Sequence, residues 1–117
     1  MSEADCVFCK IAKGEIKTGI ICENENFFSI YDLNPKAEGH CLVISKRHFR
    51  NIIDMPSSLA PECLDCIKKA AFKVLEKTGA GGFNIINNNF GVAGQKIDHV
   101  HFHILPRKEE DGLHMIV

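Results

Sequence analysis

The stretch Ser58-Leu59-Ala60-Pro61-Glu62-Cys63-Leu64-Asp65-Cys66-Ile67-Lys68-Lys69-Ala70-Ala71-Phe72-Lys73-Val74-Leu75-Glu76-Lys77-Thr78 decides the fold class. Leu59, Cys63, Ile67, Ala70, Ala71, Val74 and Leu75 recur at steps of three and four, while Lys68, Lys69, Lys73 and Lys77 take the other side. That is the period of a long amphipathic helix. Ser58 reads as its cap, Pro61 is tolerated in the first turn, and Gly79 ends it. Outward from the helix the pattern becomes strand-like. Upstream, Ile20-Ile21-Cys22 and Phe27-Phe28-Ser29-Ile30-Tyr31 flank the polar Glu23-Asn24-Glu25-Asn26 and read as a hairpin. Asp32-Leu33-Asn34-Pro35 breaks the second strand, because Pro35 disfavours helix before it and has no amide donor. His40 to Ile44 is a third, nearly all-apolar strand. Downstream, Gly82 to Asn87 and His99 to Leu105 are two more, the last closed by Pro106. A short helix is predicted over Val7 to Lys13, ending at Gly14. With one long helix after three strands and before two more, no βαβ alternation appears. An α+β domain with an antiparallel sheet of about five strands, one long helix and one short helix is expected.

The 117 residues suit one domain, residues 1–117, large enough for a real core. With 45% apolar and 25% charged residues, the chain is globular rather than disordered or fibrous. Fourteen Lys and Arg against fifteen Asp and Glu give a net charge of −1, which argues against nucleic acid or anionic lipid as a charge-held partner. Apolar runs are too short for a membrane span. Met1-Ser2-Glu3-Ala4-Asp5 lacks the basic and apolar regions of a signal peptide, so a reducing cytoplasm is expected. In that compartment Cys6, Cys9, Cys22, Cys41, Cys63 and Cys66 read as metal ligands or small buried side chains rather than a disulfide scaffold.

Chemistry concentrates in His99-Val100-His101-Phe102-His103. Side chains alternate along a strand, so the three imidazoles share one face while Val100, Phe102 and Ile104 share the face buried under the helix. A solvated strand face would mix Thr, Lys and Glu instead. Two readings stay open. Three imidazoles could bind a catalytic metal, or one could be a nucleophile whose neighbours set its tautomer and supply protons. Same-face neighbours sit roughly 6.6–6.8 Å apart along a strand. All three reaching one ion at about 2.0–2.1 Å is therefore strained. Just upstream, Asn87-Asn88-Asn89-Phe90-Gly91-Val92-Ala93-Gly94-Gln95 supplies glycines for tight turns and neutral amide donors, a weak phosphate cradle leading into the histidine row. Cys6-Val7-Phe8-Cys9 is half of a tetrahedral zinc site by spacing. Cys63 and Cys66 repeat that spacing, but they lie on the helix and read as core or helix-edge residues.

His99-Val100-His101-Phe102-His103-Ile104-Leu105 resembles the signature of the histidine triad (HIT) family. The similarity runs from Cys6 to Arg107, through Phe27 to Pro35, Gly39 to His48, and Asn88 to Gln95. The resemblance implies a HIT-like fold, a homodimer, and a nucleotidyl hydrolase or transferase acting on a purine nucleotide. It makes His101 the nucleophile on the α-phosphorus, forming a covalent nucleotidyl-imidazole that water resolves. It puts His103 by the phosphate oxygens, with His40 and His99 completing the catalytic cluster. Asn88 would orient the phosphate or the nucleophile, with Gly94, Gln95 and Lys96 alongside. Asp32 would accept from the ribose hydroxyls, and Val7, Phe8, Ile11, Ile16, Ile30 and Leu33 would surround the base. Lys96 and Arg107 are local cations that could assist the phosphate. The resemblance also implies a structural zinc on Cys6, Cys9, His48 and His99.

Two branches of the family are mixed here. Lys96 stands where one branch carries Ser and the other Thr. Asn88 resembles the nucleoside phosphoramidases, Leu105-Pro106-Arg107 the dinucleoside polyphosphate hydrolases. The chain ends at Val117 without the tryptophan-bearing tail of eukaryotic phosphoramidases. A purine nucleoside 5′-phosphoramidase is the leading expectation. Its rivals are diadenosine polyphosphate hydrolysis, a zinc-stabilised nucleotide- or protein-binding module with little turnover, and a metallohydrolase.

Overall fold

The computed structural model of the chain describes residues 3–114. Residues 1–2, where the N-terminal reading begins, and Val117 lie outside the described residues. The elements follow in the order α1 (Val7–Ala12), β1 (Ile20–Glu23), β2 (Phe27–Tyr31), β3 (Cys41–Ser45), α2 (Ala60–Thr78), β4 (Gly82–Ile86) and β5 (His101–Arg107). The strands form one five-stranded sheet in the order β1-β2-β3-β5-β4. Every neighbouring pair is antiparallel, as the absence of βαβ alternation predicts.

Helix α2 covers one face of this sheet. Cys63, Cys66, Ile67, Ala70, Ala71 and Val74 pack on Phe27, Cys41, Val43, Phe102 and Ile104. On the other face Cys6, Phe8 and Cys9, from α1 and the turn before it, meet Phe28, Ile30, Leu42 and Ile44. β3 is thus covered on both sides and all five of its residues are buried, which accounts for its unbroken apolar sequence. No helix among the described residues is long and apolar enough to cross a membrane.

Helix α2 starts two residues later than expected. A 3₁₀ turn over Ser57–Leu59 runs directly into it, so Leu59 occupies the cap position and no side chain caps the helix. Ser58 lies inside that turn, where its hydroxyl cannot play the expected part. The far end is as predicted: Gly79 adopts φ 72° and its N–H bonds Leu75 O at 2.9 Å. Gly39 is required for a different reason. Besides a φ of +84°, a Cβ there would lie 2.7 Å from Thr78 Cγ2, so the loop from β2 to β3 presses on the end of α2.

β5 also differs from expectation, running from His101 to Arg107 instead of starting at His99 and stopping before Pro106. Pro106 pairs with Phe83 of β4 at a level beyond Ile104, the last β5 residue paired with β3, so its missing donor interrupts no central ladder. At the other end the chain bends. His99 N–H bonds Ile97 O at 2.8 Å and Val100 N–H bonds Phe49 O at 2.7 Å, which takes His99 off the strand.

Candidate active site and metal centre

That bend divides the three histidines. His99 turns toward α1, its ring 4.8 Å from the ring of His48. His101 and His103 stay on the strand with rings 5.2 Å apart, and His103 meets His40.

Hydrogen bonds to the main chain determine the tautomer of each imidazole, because a carbonyl only accepts and an amide only donates. His101 Nδ1 lies 2.7 Å from His99 O, so Nδ1 carries the proton and Nε2 keeps its lone pair. His99 Nε2 lies 2.8 Å from Ser45 O, so Nε2 is protonated and the Nδ1 lone pair faces the cysteines. His40 Nδ1 accepts from the Lys36 amide at 3.0 Å, which leaves its proton on Nε2. Nε2 of His40 in turn donates to His103 Nδ1 at 3.0 Å, placing the proton of neutral His103 on Nε2. Asp32 Oδ2 lies 3.5 Å from His40 Nε2, beside this chain of bonds. His101 therefore presents an unprotonated Nε2, and the neighbouring ring of His103 a protonated one.

All four rings are held neutral around pH 7. Burial pushes His99 and His103 down to about 4 and lowers His101 and His40 as well; Asp32 opposes the shift at His40, His101 and His103. Phe8 and His101 meet in a T-shaped contact with ring centroids 5.2 Å apart, and Phe8 also packs on His99. This apolar wall desolvates both rings, and desolvation favours the uncharged form.

The second constellation is Cys6, Cys9, His48 and His99, whose ligand atoms all lie within 4.8 Å of one another. Cys9 Sγ is 3.1 Å from His48 Nδ1, and Cys6 Sγ and Cys9 Sγ are 3.2 and 3.5 Å from His99 Nδ1. Tetrahedral bonds of about 2.3 Å to sulfur and 2.0–2.1 Å to nitrogen imply nitrogen–sulfur edges of roughly 3.5 Å. The cluster can thus hold a metal ion with little movement. His99 presents a lone pair to it while its other nitrogen is tied to Ser45 O, the arrangement that orients a ligating histidine. Ligand atoms of Asp32, His40 and His103 are also mutually close, but the Lys36 amide leaves His40 Nε2 protonated, so those residues form a hydrogen-bond chain.

Phe8 and Ile30 are buried in the layer behind His101, whereas Ile16 and Leu33 are exposed, Leu33 at 91%. Asp32 Oδ1 accepts from the Asn34 amide at 2.8 Å, closing the turn that ends β2. In the loop after β4, Gly94 has φ +98° and a Cβ there would meet the Asn88 side chain, while Lys96 is exposed. Gln95 is used by the loop itself: Oε1 accepts from the Phe90 amide while Nε2 donates to Arg50 O and Ile97 O. Arg107 grips Asp111, Asn84 Oδ1 and Leu113 O. Cys63 and Cys66 are buried under α2, as their helical position predicts.

Three groups that bond these histidines are not singled out by sequence reading. They are the Ser45 carbonyl, the Lys36 amide, and the Asn87 side chain, whose Nδ2 donates to His101 O at 2.9 Å. Only Asn87 left a signal, as part of the Asn87-Asn88-Asn89 run.

Comparison with known proteins shows the family. The HIT domain model matches residues 13–110. An uncharacterised HIT-like protein of Methanocaldococcus jannaschii is 45% identical over 107 residues, covering 92% of this chain and 82% of that protein. An adenosine 5′-monophosphoramidase of Candida albicans is 40% identical over 114 residues, covering 93% and 74%. A crystal structure from Streptococcus mutans superposes with a TM-score of 0.92 at 38% identity, covering 99% of this chain and 74% of that one. With a family model spanning most of its length and relatives this similar, the chain belongs to the HIT family.

Proposed function

We propose that this protein is a nucleotide hydrolase that cleaves purine nucleoside 5′-phosphoramidates through His101. The observation that carries the reading is the 2.7 Å bond from His101 Nδ1 to His99 O, which leaves Nε2 of a neutral imidazole with a free lone pair. A neutral imidazole is an effective nucleophile near pH 7. Nε2 attacks the α-phosphorus, a P–N bond to Nε2 forms, and the bond to the leaving amine breaks as that amine takes a proton. Water then attacks the same phosphorus, the nucleoside monophosphate leaves, and His101 recovers its lone pair. His103 Nε2–H donates to a phosphate oxygen, and His40 holds His103 in the tautomer that can do so. Asp32 receives the ribose hydroxyls, Phe8, Ile16, Ile30 and Leu33 surround the base, and Asn88, Gly94, Gln95 and Lys96 border the phosphate. The phosphoramidase of Candida albicans, at 40% identity, supports this substrate class over a dinucleoside polyphosphate.

Cys6, Cys9, His48 and His99 hold a structural zinc in this reading. Bound by these four residues, such an ion would supply rigidity and charge neutralisation. The protein works as one domain over residues 1–117, in the cytoplasm, as a homodimer. Support for the dimer comes from β4, a sheet edge with exposed Phe83 and Ile85, since unpaired apolar edges favour pairing. A stable, active monomer on size measurement refutes that part.

The test incubates the protein with an adenosine 5′-phosphoramidate and, in parallel, a diadenosine polyphosphate, following AMP by chromatography. Release that vanishes in His101→Ala is expected, faster from the phosphoramidate. Faster release from the dinucleotide moves the assignment to the other branch. Tight AMP binding without release from either substrate identifies a binding module.

A further inference from the structure

Four thiols lie on the α2 face of the sheet, away from the histidines: Cys22, Cys41, Cys63 and Cys66. We propose that two of them, Cys22 of β1 and Cys66 of α2, form a reversible disulfide when the protein meets a hydroperoxide. Their Sγ atoms are in contact at 3.8 Å, and Cys22 Sγ lies 3.6 Å from Cys66 O. A disulfide needs about 2.05 Å between the sulfurs, so the pair must close by less than its present gap. β1 can supply that movement. It is the edge strand, paired only with β2, and its register shifts between Ile20 and Cys22. Bulged edge strands bend more readily than central ones.

The two sulfurs differ in a way that assigns their roles. Cys22 is half-buried, whereas Cys66 is 1% exposed. Lys73 Nζ donates to Ile21 O at 2.8 Å, which anchors a cation one residue from Cys22. Contact with the Cys66 thiol, with Lys73 and Lys69 behind it, lowers Cys22 to about 7, while Cys66 is pushed far up. Burial pushes Cys41 and Cys63 up to about 12 and about 11, so they keep their protons. The thiolate is the attacking species in such oxidations. Cys22 thus attacks and Cys66 resolves.

With hydrogen peroxide, the Cys22 thiolate attacks one oxygen, the O–O bond breaks, and the departing hydroxide takes a proton. Cys22 is left as a sulfenic acid. Cys66 sulfur then attacks Cys22 sulfur, the S–S bond forms, the S–O bond breaks, and hydroxide leaves as water with the Cys66 proton. Two thiols lose two electrons in all, and one peroxide becomes two waters. The bond joins an edge strand to α2 and closes the chain from residue 22 to residue 66. Cross-links of this kind restrict the unfolded chain, so the oxidised protein melts at a higher temperature, with the histidine face unchanged.

The experiment treats the protein as purified with hydrogen peroxide. Denatured thiols should fall by two, from six to four, and mass by about 2 Da, both reversed by dithiothreitol. Cleavage before Asp65 separates Cys63 from Cys66, and the linked peptides should contain Cys22 and Cys66. Cys41→Ser and Cys63→Ser should keep the bond; Cys22→Ser and Cys66→Ala should lose it. If Cys66→Ala does not fold, Cys22→Ser decides, since that side chain is only half-buried. Sulfinic acid at Cys22 with Cys66 still free, a Cys6–Cys9 bond in its place, or no thiol loss each overturns the proposal.

Discussion

His99 faces two ways: its imidazole Nδ1 lies 3.2 Å from Cys6 Sγ, and its carbonyl oxygen lies 2.7 Å from Nδ1 of His101. One residue therefore ties the Cys6, Cys9 and His48 cluster to the tautomer of His101, the proposed nucleophile. The side chain belongs to one site and the main chain to the other. A bend in the backbone makes this possible, because a residue in regular β5 geometry would give its carbonyl to a neighbouring strand.

Acid should weaken the fold in a window set by these rings. Burial brings His103 down to about 4 and also lowers His101; in the unfolded chain both titrate near 6.5. Between about pH 6.5 and pH 4 the unfolded state binds protons that the folded state refuses, so stability rises with pH there and falls on acidification. The urea midpoint should drop from pH 7.5 to pH 5, and less steeply in His103→Asn. Equal pH dependence in the two proteins would show that His103 is not held neutral.

Metal loading should release protons. Burial and the neighbouring Cys6 push the Cys9 thiol up to about 12, so a metal-free cluster keeps the Cys9 proton until a cation displaces it. Zinc analysis should give about one ion per chain, and titration of the stripped protein in weak buffer should acidify the solution. Stripping, or Cys9→Ser, should lower the melting temperature by about 10 °C, the shift expected for roughly 2 kcal/mol in a domain of this size. Well under one zinc per chain in protein never exposed to chelator excludes the structural ion.

Helix α2 and the five strands are legible because side chains declare them: lysines opposite Ile67, Ala70 and Val74, and apolar residues at each strand. The histidine cluster is legible for the same reason. What stays hidden depends on the main chain. Every residue has a carbonyl, so nothing in the sequence marks those of Ser45 and His99, and the bend at His99 depends on Phe49 O, fifty residues upstream. Polar side chains near a motif also carry structural partners that the sequence does not declare. Gln95 bonds within its own loop and Arg107 with the C-terminal segment.

Asn87 should act as a positioning residue. The β4–β5 ladder ends at the Ile86–His103 pair, and the Asn87 amide reaches His101 O beyond it at 2.9 Å. Losing one such bond costs about 1 kcal/mol. Asn87→Ala should lower kcat several-fold with KM and zinc content little changed, and Asn87→Asp more, because a carboxylate cannot donate. Zinc loss in step with activity would instead mark a general loosening of the fold.

The contact between Gly39 and Thr78 makes a separate prediction about stability. Gly39→Ala places a Cβ 2.7 Å from Thr78 Cγ2 at a φ of +84°, whereas Gly79→Ala at φ +72° meets open space. The left-handed backbone alone costs roughly 1–2 kcal/mol for a non-glycine residue, so Gly79→Ala should lose about that much by urea denaturation. Gly39→Ala should lose more, the excess being the clash. Thr78→Ser removes Cγ2 but keeps the hydroxyl bonded to Val74 O. Combined with Gly39→Ala, it should recover the excess and leave the backbone cost, a coupling that a double-mutant cycle measures directly. If the two substitutions add independently, the loop does not press on α2 through this methyl group.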